Sequence, residues 1–133
     1  MTAGNVPPDL RYTKSHEWIR ELGDEMIVGI TDHAQQELTD IVFVDLPKSG
    51  ASVKAGASAL VLESVKTVAD VYAPFDGTVV AGNEALKAHP ELVNRAPYSD
   101  GWLFKMRRTP SGLATPNLSA AEYEAFVAVG SPA

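Results

Sequence analysis

The spacing of apolar and polar positions changes several times along the chain, and each change marks an element. Residues 16–21 carry Trp18 and Ile19, residues 26–30 read Met-Ile-Val-Gly-Ile, and Gly23-Asp24 lies between them, which predicts a hairpin. Leu10-Arg11-Tyr12 predicts a short first strand. Residues 1–9, with Gly4, Pro7 and Pro8 and few core formers, read as a flexible tail. After Ile30 the period lengthens. Thr31 is expected to cap a short helix running through Leu38, because its hydroxyl accepts an otherwise unpaired N–H and Asp32 meets the positive end of the dipole. Ala34 and Leu38 form that helix's apolar side.

Ile41-Val42-Phe43-Val44-Asp45-Leu46 is β-branched and nearly all apolar, the pattern of a strand buried on both faces, and Pro47 with Gly50 ends it. Residues 59–63 and 67–72 predict two strands separated by Ser64-Val65-Lys66, a gap short enough for a tight hairpin. Pro74 and Asp76-Gly77 mark a turn before Thr78-Val79-Val80 resumes as strand. Asn83 is placed to cap a helix through Lys87, Pro90 to open another short turn, and residues 97–101 to loop into a last strand over 102–106. The Pro/Gly/Ser/Thr-rich residues 109–117 read as a linker. Ser119-Ala120-Ala121-Glu122 is a capping box, with Leu118 and Tyr123 as its hydrophobic staple. It opens a C-terminal helix over 119–129 whose buried face carries Tyr123, Phe126 and Val127, with Gly130 past its end. About eight short strands with a few short helices predict a mainly β sandwich or flattened barrel, a single domain over 10–133.

Composition narrows the partners. The chain has 133 residues, net charge −6 and no cysteine. An acidic surface of this size disfavours nucleic acid, and disulfides, thiolate nucleophiles and cysteine zinc sites are all excluded. The longest apolar run, Ala59-Leu60-Val61-Leu62, is too short to span a membrane. The N-terminus shows neither a signal-peptide order nor an Arg-rich presequence, so a cytoplasmic protein is expected, mitochondrial only if a transit peptide was removed.

Catalytic signatures are missing. His16, His33 and His89 are widely spaced, and no metalloprotease, nucleophile-elbow or P-loop pattern occurs. His33, in the first turn of its helix, reads as a surface residue. The informative stretch is Glu63-Ser64-Val65-Lys66-Thr67, where two β-prone runs deliver one lysine to the point of chain reversal. A hairpin lysine is most often a solvated charge. It is also what a modifying enzyme needs, because a protruding turn lets the amine enter a partner's site without unfolding the carrier.

Glu63-Ser64-Val65-Lys66, followed by Asp70, Tyr72, Ala73 and Pro74, resembles the lipoyl attachment region of the glycine cleavage system H protein family. The resemblance continues through Leu10-Arg11-Tyr12-Thr13-Lys14-Ser15-His16-Glu17-Trp18, Val28-Gly29-Ile30-Thr31-Asp32-His33-Ala34-Gln35 and Asp40-Ile41-Val42-Phe43-Val44. It closes on Asn83-Glu84-Ala85-Leu86, Pro90-Glu91-Leu92-Val93-Asn94, Pro97-Tyr98 and Gly101-Trp102-Leu103. Biotin carriers are similar in fold but have Met on both sides of the lysine, where this chain has Val65 and Thr67.

The resemblance implies a barrel-sandwich hybrid of two antiparallel sheets with short peripheral helices and a C-terminal helix. It also implies a carrier, not an enzyme, with lipoate amide-linked to Lys66 as its covalent cofactor. The dithiolane would then supply the sulfurs that the chain lacks, alternating between disulfide, aminomethyl-bearing thiol and dithiol. Implied partners are a pyridoxal-phosphate glycine decarboxylase, a folate-dependent aminomethyltransferase, the flavin-dependent dihydrolipoamide dehydrogenase and a lipoate-attaching enzyme. About eleven bonds from the lysine Cα give an arm of ~14 Å, enough to visit several sites. Glu63 is expected to be read by the lipoate-attaching enzyme, and Glu17 and Asp70 to flank a cleft that receives the loaded arm. Glu37 stands where some relatives carry histidine, and that helix position is given no part in the cleft. A relay donating lipoate to 2-oxoacid dehydrogenase complexes would use the same lysine and fold.

Overall fold

The computed structural model describes residues 4–129, which form nine strands and four helices. β1 (Arg11–Tyr12), β2 (Glu17–Leu22), β3 (Glu25–Ile30), β5 (Ser52–Val53), β8 (Gly77–Gly82) and β9 (Phe104–Arg108) build one antiparallel sheet in the order β1-β2-β3-β9-β8-β5. β4 (Ile41–Asp45), β6 (Ser58–Ser64) and β7 (Val68–Tyr72) build a second, in the order β4-β6-β7. The two sheets share one core, with Ile19, Val28, Phe104 and Met106 from the larger and Ile41, Val44, Leu60, Leu62 and Val71 from the smaller. This is the mainly β, two-sheet architecture that the pattern predicts.

Local chemistry accounts for the elements around the sheets. Gly23 takes φ +67° at the β2–β3 turn, a conformation free of steric cost for glycine. Along β2, Ile19 pairs with Val28 on the core face and Trp18 with Gly29 on the other. A Cβ on Gly29 would sit 2.5 Å from the indole, so glycine here lets the ring lie flat against the ladder. Trp18 also donates from Nε1 to the Pro97 carbonyl at 2.9 Å. Helix α1 (Asp32–Leu38) starts where expected, the Thr31 hydroxyl accepting from Ala34 N–H. After two single-turn helices, α2 (Ala85–Ala88) and α3 (Leu92–Arg95), helix α4 (Ala120–Ala128) opens on the complete Ser119–Glu122 capping box. Its Tyr123 and Val127 cover Tyr12 and Trp18 on the outer face of the large sheet, forming a second cluster. Gly130 lies outside the described residues.

Several expectations are corrected. β4 is buried on one face only: Val42 and Phe43 are 53% and 51% exposed. The small sheet has a cover on one side, and a bulge between Ile41 and Phe43 turns two successive side chains outward. β5, only two residues long, carries no readable pattern, and the last strand begins at Phe104 instead of Trp102. Asn83 accepts from Ala85 N–H at 3.3 Å, yet the N-cap position falls to Glu84. The amide of Asn83 instead fastens the loop before β9, donating to the carbonyls of Asp100 and Trp102 at 2.8 Å each. Residues 109–117 lie against the turn before β8 through backbone bonds, Asp76 N–H donating to the Leu113 carbonyl, Thr109 N–H to the Asp76 carbonyl and Thr115 N–H to the Pro74 carbonyl. The segment before β1 is likewise fastened, Tyr12 Oη donating to the Pro7 carbonyl and Asn5 N–H to Asp32.

Candidate functional site

The hairpin between β6 and β7 is built around Ser64. Its hydroxyl oxygen accepts from the N–H groups of Lys66 and Thr67 at 3.1 and 3.0 Å, and its own N–H donates to the Thr67 carbonyl at 2.8 Å. This fixes the turn backbone from within. The Val65 N–H reaches the Asp40 carbonyl at 3.0 Å, clamping the tip to the segment that joins α1 to β4. Lys66 is exposed, and its Nζ donates to the Glu37 carbonyl at 2.9 Å, at the C-terminal end of α1. A cation suits a helix C-terminus, where carbonyls carry partial negative charge. Position 37 therefore does touch the lysine, through its backbone carbonyl and not its side chain.

Beside the hairpin lies a cavity of about 490 Å³. One wall is apolar, from Ile30, Ala34, Leu38, Leu62 and Val71, and the other end is polar, from Ser15, Glu17, Asp70 and Tyr72. Val68, two residues past Lys66, also lines it. The structure thus brings Glu17 and Asp70 into one cavity next to Lys66. Glu63 is not among the lining residues; it is exposed on the outer face of the small sheet, between Phe43 and Val68 in the ladder. A wider groove of about 830 Å³ between β4 and β8 has no buried acid or hydroxyl cluster. The cavity beside the hairpin, which combines an apolar wall with convergent polar groups, is the better site.

Glu17 and Asp70 differ in kind. Glu17 is 1% exposed. Its Oε1 accepts from the Thr13 and Ser15 hydroxyls, the latter at 2.6 Å, and its Oε2 accepts from Tyr72 N–H at 3.2 Å. Since β7 is an edge strand, that last bond closes the edge from the opposite sheet. Burial pushes the Glu17 carboxyl above the ordinary glutamate range, against the hydrogen bonds from Ser15, Thr13 and Tyr72 that pull it down. Asp70 is exposed, and its Oδ1 accepts from the Ser58 hydroxyl at 2.8 Å. The sequence alone gives Thr13, Ser15 and Tyr72 no role; its readable signal is two hydroxyls alternating with Glu17.

The expectation that His33 sits on the surface is wrong. His33 is 3% exposed, its ring against that of His16 at 4.8 Å between centroids. The reason is that α1 lies along the core with this first-turn residue turned inward. Among the described residues no group of three or more His, Asp or Glu could hold a metal ion, and no helix is long and apolar enough to cross a membrane.

A pH dependence follows from Glu17. Its folded carboxyl holds its proton to higher pH than the unfolded one, near 4.3, so folding binds protons and stability falls as pH rises through the interval between the two values. Chemical-denaturation series on wild type and Glu17→Gln should show wild type losing stability relative to the variant above about pH 4.3 and then levelling. Asp76 and Glu122, held low by backbone N–H groups of Ala55 and Ser119, act oppositely: their contribution is present at neutral pH and lost in acid.

A two-sheet domain presenting one lysine on a hydrogen-bonded hairpin beside a cleft has the form of a covalent-carrier module. The profile described as "Glycine cleavage H-protein" matches residues 10–129. The chain is 52% identical over 124 residues to the glycine cleavage system H protein of Sodalis glossinidius, covering 92% of this chain and 95% of that one. The corresponding protein of Klebsiella pneumoniae is also 52% identical, over 92% and 96% of the two chains. A solved structure of a glycine cleavage system H protein from Mycobacterium marinum superposes with a TM-score of 0.85 at 38% identity, covering 92% of this chain and 99% of that one. The chain belongs to the glycine cleavage H-protein family.

Proposed function

We propose that this chain is the lipoyl carrier of a glycine cleavage system, with lipoate amide-linked to Lys66. The observation that carries the reading is an exposed Lys66 on a hairpin fixed by Ser64 and Asp40, directly beside a cavity with a buried carboxylate. Family membership supports it. The residues also fit the group: an accessible amine for the amide, an apolar wall for an alkyl chain, and Ser15, Glu17 and Asp70 for a cationic end. When attached, the lipoyl group supplies a disulfide able to take up an aminomethyl group and electrons. The chain's own residues hold and shield. Ser64 orients the lysine, Ala34, Leu38 and Val71 exclude water from the arm, and Glu17 offers a partly desolvated acceptor to an ammonium. The bond-making steps belong to the decarboxylase, the aminomethyltransferase and the dihydrolipoamide dehydrogenase. The bacterial relatives support a bacterial cytoplasmic location.

Intact mass spectrometry of the protein purified from its native source tests the reading. One lipoyl amide, mapped to Lys66, is expected; a chain left unmodified in cells that lipoylate other proteins overturns it.

Glu63 is proposed as a contact for the lipoate-attaching enzyme. It lies three residues before Lys66, exposed and flanked by apolar Phe43 and Val68. A rim charge acts mainly on association rate and its salt dependence. Glu63→Gln should lower kcat/KM for lipoylation about two- to tenfold at low ionic strength, with the difference closing at high salt. Equal rates at low ionic strength would reject the contact.

A further inference from the structure

Helix α4 has no residue in the cavity, yet one of its side chains holds both cavity walls. Tyr123 is fully buried, and its Oη lies 2.7 Å from His16 Nδ1 and 2.7 Å from Thr31 Oγ1. Thr31 caps α1, whose Ala34 and Leu38 line the cavity. His16 lines the cavity itself and precedes Glu17. His16 also takes φ +71°, a left-handed conformation that costs free energy in a side-chain-bearing residue and persists where surroundings over-determine it. Among those surroundings are two backbone bonds, His16 N–H to the Thr13 carbonyl and Thr31 N–H to the His16 carbonyl, and the phenol.

The phenol oxygen joins His16 Nδ1 and Thr31 Oγ1, with the donor in each bond set by the His16 tautomer, and Thr31 Oγ1 also accepts from Ala34 N–H. Burial pushes the Tyr123 phenol above its ordinary value, so it keeps its proton. Its ring is fixed independently by stacking on Tyr12, centroids 4.9 Å apart at 17°.

We infer that Tyr123 is a positioning residue for the cavity: through His16 it sets the direction of Glu17, and through Thr31 it sets the α1 wall. This deepens the carrier reading and rests on it for its purpose, although not for its geometry. Without the phenol O–H, His16 can relax from its left-handed conformation, and Glu17, the next residue, turns with it. The bond from Tyr72 N–H to Glu17 Oε2 across the cavity then weakens.

The test uses the unmodified full chain. Amide hydrogen exchange is followed by NMR in wild type, Tyr123→Phe and Val127→Ala. Phe keeps the ring and its stacking. Val127, 1% exposed on the same helix, serves as the control for a loosened α4. Tyr123→Phe is expected to speed exchange of the Tyr72 amide about three- to tenfold relative to the β9 amides, the size of one lost hydrogen bond. Val127→Ala is expected to leave that ratio as in wild type even where it lowers Tm more. An unchanged ratio in Tyr123→Phe, or an equal change in both variants, overturns the inference. If Tyr123→Phe does not fold, His16→Phe, which keeps a buried ring and removes the same phenol bond from the His16 side, takes its place. A second measurement, retention of the aminomethyl cargo by the lipoylated carrier, separates the two readings. If the wild-type carrier retains cargo no longer than a small thiol does, the cavity's proposed purpose fails, while the exchange ratio still decides the role of Tyr123.

Discussion

Lys66→Arg should fold as wild type does and carry no lipoate. Arg keeps the charge and most of the length, and its guanidinium can still donate to the Glu37 carbonyl that Lys66 meets at 2.9 Å. The turn itself does not depend on the side chain, because Ser64 holds it through the backbone N–H groups of residues 66 and 67. A guanidinium is not acylated by a lipoate-attaching enzyme, so amide formation falls to background and glycine cleavage reconstituted with the variant falls with it. The effect is a loss of all carrier turnover with a Tm within about 2 °C of wild type, as expected for an exposed substitution worth less than about 0.5 kcal/mol. Peptide mapping that finds lipoate elsewhere, or a variant that still supports glycine cleavage, would remove Lys66 from the proposal.

How much of this was legible in the sequence depends on how local each cause is. The β2–β3 and β6–β7 hairpins, the Thr31 cap and the Ser119–Glu122 box all arise from residues within a few positions of one another, and pattern reading recovers them. β4 misled because Ile-Val-Phe-Val states only that the strand is apolar; which face is covered is decided by the other sheet and by the bulge at Ile41–Phe43. The site divides the same way. The hairpin lysine and the Thr13–Ser15–Glu17 alternation are local, but the Tyr123–His16 and Tyr123–Thr31 bonds join residues 107 and 92 positions apart. No periodicity in either segment encodes them. His33 shows the cost of reading a helix alone, since it is buried where α1 lies along the core, its ring against that of His16, a packing that only the folded chain makes.

Glu17→Gln should shorten the lifetime of cargo on the loaded carrier far more than Asp70→Asn. On the proposed reading the cargo would carry a cationic amine, and protecting it would require holding that ammonium and excluding water. Glu17 sits where a carboxylate is costly to keep alone: 1% exposed, its carboxyl pushed upward by burial. An incoming ammonium would relieve that cost, and a charge-assisted hydrogen bond in such a setting contributes roughly 1.5–3 kcal/mol. The upper figure corresponds to about a 100-fold change in docking. Gln keeps the shape: with its amide oxygen toward the Tyr72 N–H, its NH2 faces the Thr13 and Ser15 hydroxyls, which can turn to accept, so the fold is retained while the charge is lost. Asp70 is exposed and already accepts from Ser58, which limits its pairing to about 0–1 kcal/mol, a change of less than about fivefold. The half-life of the aminomethyl-loaded carrier, free of partner enzymes, measures both variants against wild type. Lifetimes unchanged in both would reject docking of the cargo in this cavity; a loss in Asp70→Asn that exceeds the loss in Glu17→Gln would place the ammonium at the cavity mouth instead of at its buried end.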